Sequence, residues 1–139
     1  MKNRETLVKD LVTNYRNQTK KIRACFHPLL KDFIPLNEYA ALKVLRCQGN
    51  QMVSEIADQL QVTNSHISVT SDKLINRGLV TRKHSEQDRR IVYLSITSKG
   101  EELADKMDDV LQDFYEETFS ELSEEEIEMF IKLLNKIKM

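Results

Sequence analysis

The sequence predicts a mainly α-helical chain with one small β-hairpin, an α+β fold in which helices dominate. Three observations predict it. Apolar residues recur at three- and four-residue spacing over most of the chain. Only three Gly and two Pro occur in 139 residues, so few points interrupt a helix. One stretch, 79–96, is instead rich in β-branched residues on either side of a charged loop.

Taken in order, segment 5–33 carries Leu7, Leu11, Tyr15, Ile22, Cys25, Phe26, Leu29, Leu30 and Phe33 at largely helical spacing, broken by the polar run 17–21. Pro28 is expected to kink or restart this helix, because proline loses one backbone bond and clashes with the preceding turn. Pro35 suits the first turn of a second helix over about 36–47, with Tyr39, Leu42, Val44 and Leu45. Gly49-Asn50 is a turn signal. A short helix is expected at 53–60, a tight turn at Gln61-Val62, and a fourth helix at 64–77. Thr63 or Asn64 serves as its N-cap, and Gly78 ends it where a left-handed residue costs least. Segments 79–82 and 91–96 read as strands around the loop 84–90. Thr97 or Ser98 caps a long helix to about 119, with Leu103, Met107, Val110, Leu111, Phe114, Thr118 and Phe119 as its stripe. Ser123 and Glu126 form a capping box for a last helix bearing Ile127, Phe130, Ile131, Leu134 and Ile137.

Composition narrows the function classes. The length suits one domain or one subunit of a small assembly. No apolar run approaches the roughly 20 residues that span a bilayer, and the N-terminus leads into an amphipathic pattern, not a signal-peptide core. The expectation is a cytoplasmic protein with no membrane partner. Cys25 and Cys47 make no disulfide framework, and on apolar stripes they read first as buried, inert thiols. His27, His66 and His84 are scattered without paired spacing, which predicts no metal site. No phosphate loop or nucleophile motif occurs, so neither an enzyme nor a cofactor is expected.

Net charge is −1, yet it is unevenly spread. Residues 1–62 hold ten Lys/Arg against six Asp/Glu, and residues 63–99 hold seven against three. Residues 100–139 hold four against thirteen, which reads as charge on solvated helix faces. Local field, not net charge, steers a polyanion.

The central segment fits such a partner. Helix 53–60, turn, helix 64–77 has the apolar pattern of a helix-turn-helix: small Ala57 for close approach, Val62 to plug the turn, and Ile67 and Leu74 as the core face. Gln61 is the irregular position, since glycine is common there. The outward face of 64–77 then offers Ser65, His66, Ser68, Val69, Asp72, Lys73 and Arg77. Short donors and acceptors with a methyl surface suit base edges in a major groove, and cations suit phosphates. The hairpin tip adds Asp88, Arg89 and Arg90: arginines suit a narrow minor groove, and Asp88 can hold the Arg90 guanidinium in a fixed fork. The reading is a winged helix-turn-helix that binds double-stranded DNA.

Four runs carry a family resemblance: Ser54-Glu55-Ile56-Ala57, Leu74-Ile75-Asn76-Arg77-Gly78-Leu79-Val80, Asp88-Arg89-Arg90, and Leu94-Ser95-Ile96-Thr97-Ser98-Lys99-Gly100. With them the chain resembles the MarR family of bacterial transcription regulators over nearly its whole length. The resemblance implies a homodimer built from N- and C-terminal helices (1–34 and 101–139) flanked by winged domains (35–100), bound to a pseudo-palindromic operator. It implies a repressor released by a small-molecule effector or by oxidation. It includes members that sense oxidants through a first-helix cysteine, which points to Cys25, with Arg23 and His27 near it in sequence. It also implies a ligand pocket, for which Tyr15, Phe26, Phe33, Tyr39 and Met107 are the candidates. The chain departs from the family in having Val69 where arginine is frequent and Pro35 where threonine is common. Physics supports the dimer independently, because the amphipathic helices exceed what one winged domain can cover. Paired recognition helices then lie about 34 Å apart, one DNA turn. Low net charge and Val69 leave an alternative: a winged-helix protein-interaction module that does not bind DNA.

Overall fold

Asn3 opens the first helix, α1 (Arg4–Leu29), its side chain accepting from the Thr6 N–H at 2.9 Å. In the computed structural model, which describes residues 1–139, there follow α2 (Leu36–Gln48), α3 (Val53–Leu60), α4 (Asn64–Asn76), β1 (Val80–His84), β2 (Val92–Ile96), α5 (Ser98–Thr118) and α6 (Glu124–Asn135). This is the predicted class, mainly α with one hairpin. Pro28 sits in the last turn of α1, which stops at Leu29; no helix restarts before Leu36. The ring's missing N–H and its clash with the preceding carbonyl end the helix there instead of kinking it onward. Pro35 stands one step outside α2 as its N-cap, and its carbonyl accepts from Glu38 and Tyr39 N–H, each at 3.0 Å.

The chain divides into two compact units, Met1–Asp105 and Lys106–Met139. In the first, α3 and α4 pack on each other and on α2. Leu42, Leu45, Ile56, Ala57, Ile67, Leu74, Val80 and Leu94 are buried there. Each large aliphatic side chain removed from water contributes roughly 1.5–3 kcal/mol to holding the helix-turn-helix together. Val62 does not plug the turn: it is 39 % exposed. The turn is set by Gln61 instead, a left-handed residue at φ 57° whose amide Nε2 donates to the Asp58 carbonyl at 2.9 Å.

Strands β1 and β2 are antiparallel, with Val80 opposite Ile96 and His84 opposite Val92. A one-residue bridge, unforeseen in the sequence, adds Gln51 to the sheet edge: Leu94 N–H donates to the Gln51 carbonyl at 2.8 Å and the Gln51 N–H returns the bond at 3.2 Å. The root of the hairpin is closed by the start of α5. Gly78 takes φ 77° beyond the end of α4. Thr97, the N-cap of α5, donates its hydroxyl to the Gly78 carbonyl at 2.8 Å and accepts from the Gly100 N–H at 3.0 Å. Lys99 Nζ donates to the Arg77 carbonyl at 2.8 Å. A Cβ on Gly100 would lie 2.3 Å from the Leu79 carbonyl oxygen, so glycine is required by close approach.

In the second unit, Ser123 and Glu126 make the expected capping box, with bonds of 3.1 and 3.0 Å. Phe119 meets the Phe130 ring edge-on at 6.3 Å between centroids. Neither α1 nor α6 has a buried residue.

Candidate nucleic-acid interface

Thr63 caps α4, its hydroxyl accepting from the His66 N–H at 3.1 Å. Four residues of α4 turn inward: Ile67, Thr70, Ser71 and Leu74. Thr70 and Ser71 tolerate burial because their hydroxyls donate to the His66 and Ser68 carbonyls, each at 2.9 Å, leaving no polar atom unpaired. Ser65, His66, Ser68, Val69, Asp72 and Lys73 are exposed, as their spacing predicts. Asp72 is neutralised by Arg82 of β1, an ion pair that ties the helix to the hairpin. No local spacing announces this pair, since its members lie on different elements. Arg77, predicted on the same outward face, is half-exposed and directed to α2, with Nε 3.3 Å from Oε1 of the buried Glu38.

The hairpin tip is built by short side chains. Ser85 Oγ accepts from the Gln87 and Asp88 N–H groups at 3.2 and 3.3 Å, and the Ile91 N–H donates to the Asp88 carbonyl at 3.0 Å. Arg90 Nε and Nη2 each donate to one oxygen of Asp88 at 3.0 Å, and the Arg90 N–H adds a third bond at 3.1 Å. The Arg90 guanidinium hydrogen bonds hold the Asp88 carboxyl below the usual carboxylate range, and Asp88 in turn raises Arg90. The predicted fork is therefore present, and the arginine side chain remains 91 % exposed. Arg89 is exposed outside the fork, its carbonyl bonded to His84 Nδ1 at 2.8 Å. A cleft of about 500 Å³ brings Ser68 of α4 and Arg90 of the tip onto one surface.

The remaining candidates separate. Phe26 and Phe33 line a different cavity of about 440 Å³, beside Arg23, His27, Lys31 and Arg77. Tyr15 is exposed on α1, Tyr39 is buried with its hydroxyl accepting from Lys43 Nζ at 3.3 Å, and Met107 is buried in the second unit. Cys25 and Cys47 are both exposed, against the expectation of buried thiols: α1 buries none of its residues, and Cys47 lies off the buried face of α2 formed by Leu42 and Leu45. The Cys25 thiol donates to the Lys21 carbonyl at 3.3 Å. No group of His, Cys, Asp and Glu is arranged to hold a metal ion, and no helix is long and apolar enough to cross a membrane.

A helix-turn-helix followed by an arginine-tipped hairpin defines the winged helix-turn-helix class. The MarR family profile matches residues 34–92. The HTH-type transcriptional regulator YpoP of Bacillus subtilis is 31 % identical over 137 residues, covering 99 % of this chain and 97 % of YpoP. A MarR family protein from Bacillus stearothermophilus has a similar structure, with TM-score 0.83, 23 % identity, and 97 % and 95 % of the two chains covered. FabT of Streptococcus pneumoniae, solved in complex with DNA, matches with TM-score 0.68, 24 % identity, and 87 % and 92 % coverage. The chain belongs to the MarR family of transcriptional regulators.

Proposed function

We propose that this regulator is a homodimeric repressor that binds a pseudo-palindromic operator and releases it when a small molecule binds. The observation that carries the reading is the common surface of Ser68 and Arg90: a major-groove helix and a minor-groove arginine presented together. Ser65, His66 and Ser68 then read base edges, Val69 supplies a methyl surface, and Lys73 and Arg89 meet phosphates. Asp88 acts indirectly, by aiming Arg90. The DNA complex of FabT supports this docking by analogy of fold.

The dimer reading rests on uncovered apolar faces. Leu7, Leu11 and Tyr15 of α1 are exposed, as are Phe130, Ile131 and Leu134 of α6. A second copy covers such faces at least cost. Residues 1–34 and 101–139 then form the dimerisation region and 35–100 the DNA-binding domain, at work in the cytoplasm.

Fluorescence anisotropy with labelled duplexes from upstream of the chain's own gene tests the reading. Saturable binding at low salt, weakening steeply as salt rises, is expected. No binding at low salt, together with a stoichiometric protein partner, would instead favour an interaction module.

A further inference from the structure

Arg77 stands at a junction of three helices. Its main chain caps the C-terminal end of α4, where its N–H donates to the Lys73 carbonyl at 3.1 Å. Its carbonyl accepts from Lys99 Nζ at the start of α5. Its side chain runs to α2, with Nε 3.3 Å from Glu38 Oε1. Glu38 is 2 % exposed, and that oxygen has no hydrogen-bond partner. A buried carboxylate in this state is costly unless an opposite charge stays beside it. The positive end of α2, in whose first turn Glu38 lies, supplies part of that compensation, and Arg77 is its ion-pair partner. Glu38 therefore holds Arg77 in place more firmly than an exposed acid would.

An arginine on the outward face of a recognition helix is ordinarily assigned to a phosphate. Glu38 draws this one the other way. We propose that Glu38 and Arg77 are positioning residues for DNA recognition: the buried acid anchors the C-terminal end of α4 on α2, and Arg77 serves this anchor instead of a phosphate. The base-reading side chains Ser65, His66 and Ser68 lie toward the other end of the helix. From Arg77 to Ser65 the helix rise gives a lever of roughly 18 Å. A tilt of about 3° at the anchored end thus moves the reading end by about 1 Å, beyond what precise bonding to a base edge tolerates. Attraction between cations and phosphates changes little over the same distance. The anchor therefore controls discrimination between sequences and leaves non-specific attraction alone. This deepens the DNA-binding reading and rests on it for the effect on recognition, though not for the anchor itself.

The test compares two duplexes by fluorescence anisotropy over a series of salt concentrations: the one from upstream of the chain's own gene, and a shuffled duplex of equal length and composition. In Glu38→Gln, which removes the charge and keeps the volume, affinity for the upstream duplex should fall about tenfold. Affinity for the shuffled duplex and both salt slopes should stay as in wild type. A variant that merely unfolded more readily would lose both duplexes in equal proportion. Glu38→Met combined with Arg77→Gln leaves no buried charge, and should lose no more than Glu38→Gln does, because both variants break one contact. Hydrogen exchange supplies a readout without DNA. The Gly78 and Leu79 N–H groups donate to the Ile75 and Leu74 carbonyls at 2.9 and 3.0 Å. They should exchange several-fold faster in Glu38→Gln, while the Leu94 N–H, bonded to Gln51, keeps its rate.

The proposal is overturned if Glu38→Gln binds the upstream duplex as well as wild type or better, the outcome expected of an arginine freed for phosphate. A salt slope lower by about one in the combined variant overturns it too, since that counts Arg77 as a phosphate contact. So does unchanged exchange at Gly78 and Leu79. Should Glu38→Gln fail to fold, the combined variant decides by the same ratio of affinities. If the wild-type chain does not tell the two duplexes apart, the DNA-binding reading falls, and the exchange rates alone decide the anchor.

Discussion

Arg90 shows how much one side chain depends on its neighbour. The Asp88 fork fixes a long, exposed arginine that would otherwise sample many rotamers, so less entropy is lost when it enters a groove. Arg90→Ala is expected to weaken DNA binding and to reduce the log–log salt slope by about one. Asp88→Asn keeps the arginine but loosens its aim, and should weaken binding less while leaving the slope nearly unchanged. The fork is also indifferent to pH near neutrality. Because the Asp88 carboxyl is depressed, whatever stability it adds is complete above the ordinary carboxylate range and disappears only as pH falls below it. Anisotropy titrations between about pH 6 and 8 should therefore show no step attributable to the Asp88–Arg90 fork. The fork was legible in the sequence because its partners are two residues apart. The Glu38–Arg77 and Asp72–Arg82 pairs were not, because their members lie on different elements and glutamate is rarely buried.

Among the elements, the helices were read most faithfully where a local signal bounds them. The N-cap hydroxyl of Thr63, the left-handed Gly78 and the Ser123–Glu126 box mark ends that need no tertiary context. Segment 30–33 was misread as helix because its apolar spacing continues past Pro28, and periodicity carries no information about the lost N–H. The Gln51–Leu94 bridge escaped notice for another reason: a single residue has no period. Two substitutions test the junctions. Gln61→Val places a β-branched residue in the left-handed region and should cost about 2 kcal/mol in urea unfolding, whereas Gln61→Gly should be close to neutral. Gly100→Ala pushes a methyl group into the Leu79 carbonyl, where the neighbour is backbone and cannot step aside, and should cost about 1–3 kcal/mol.

For the molecule entire, the question is what covers the apolar faces of α1 and α6. Their stripes were evident in the sequence, but periodicity does not say whether a stripe meets its own chain or another. With Leu11 at 66 % and Ile131 at 54 % exposure, a single chain leaves both uncovered. Leu11→Glu and Ile131→Glu are each expected to shift the mass found by light scattering from two chains toward one. Operator affinity should then fall by about a hundredfold, since a monomer engages one half-site alone. An unchanged mass in both variants would remove these faces from the interface. The acidic stretch 100–139 complements this arrangement by repelling phosphate, so that the basic segment 63–99 is the part a duplex favours.

The closed root of the hairpin has a practical consequence. Thr97 and Lys99 hold the Gly78 and Arg77 carbonyls, so residues 80–96 leave and re-enter the scaffold at one point. Buried Val80 and Leu94, the Gln51 bridge and the Asp72–Arg82 pair anchor the base of the hairpin, so the tip, residues 85–91, is the part that stands clear of the scaffold. Tips of other lengths and sequences, grafted between His84 and Val92, should fold on this scaffold without disturbing the helices. Minor-groove preference can then be exchanged independently of the recognition helix, which makes the chain a host for building regulators of altered operator choice.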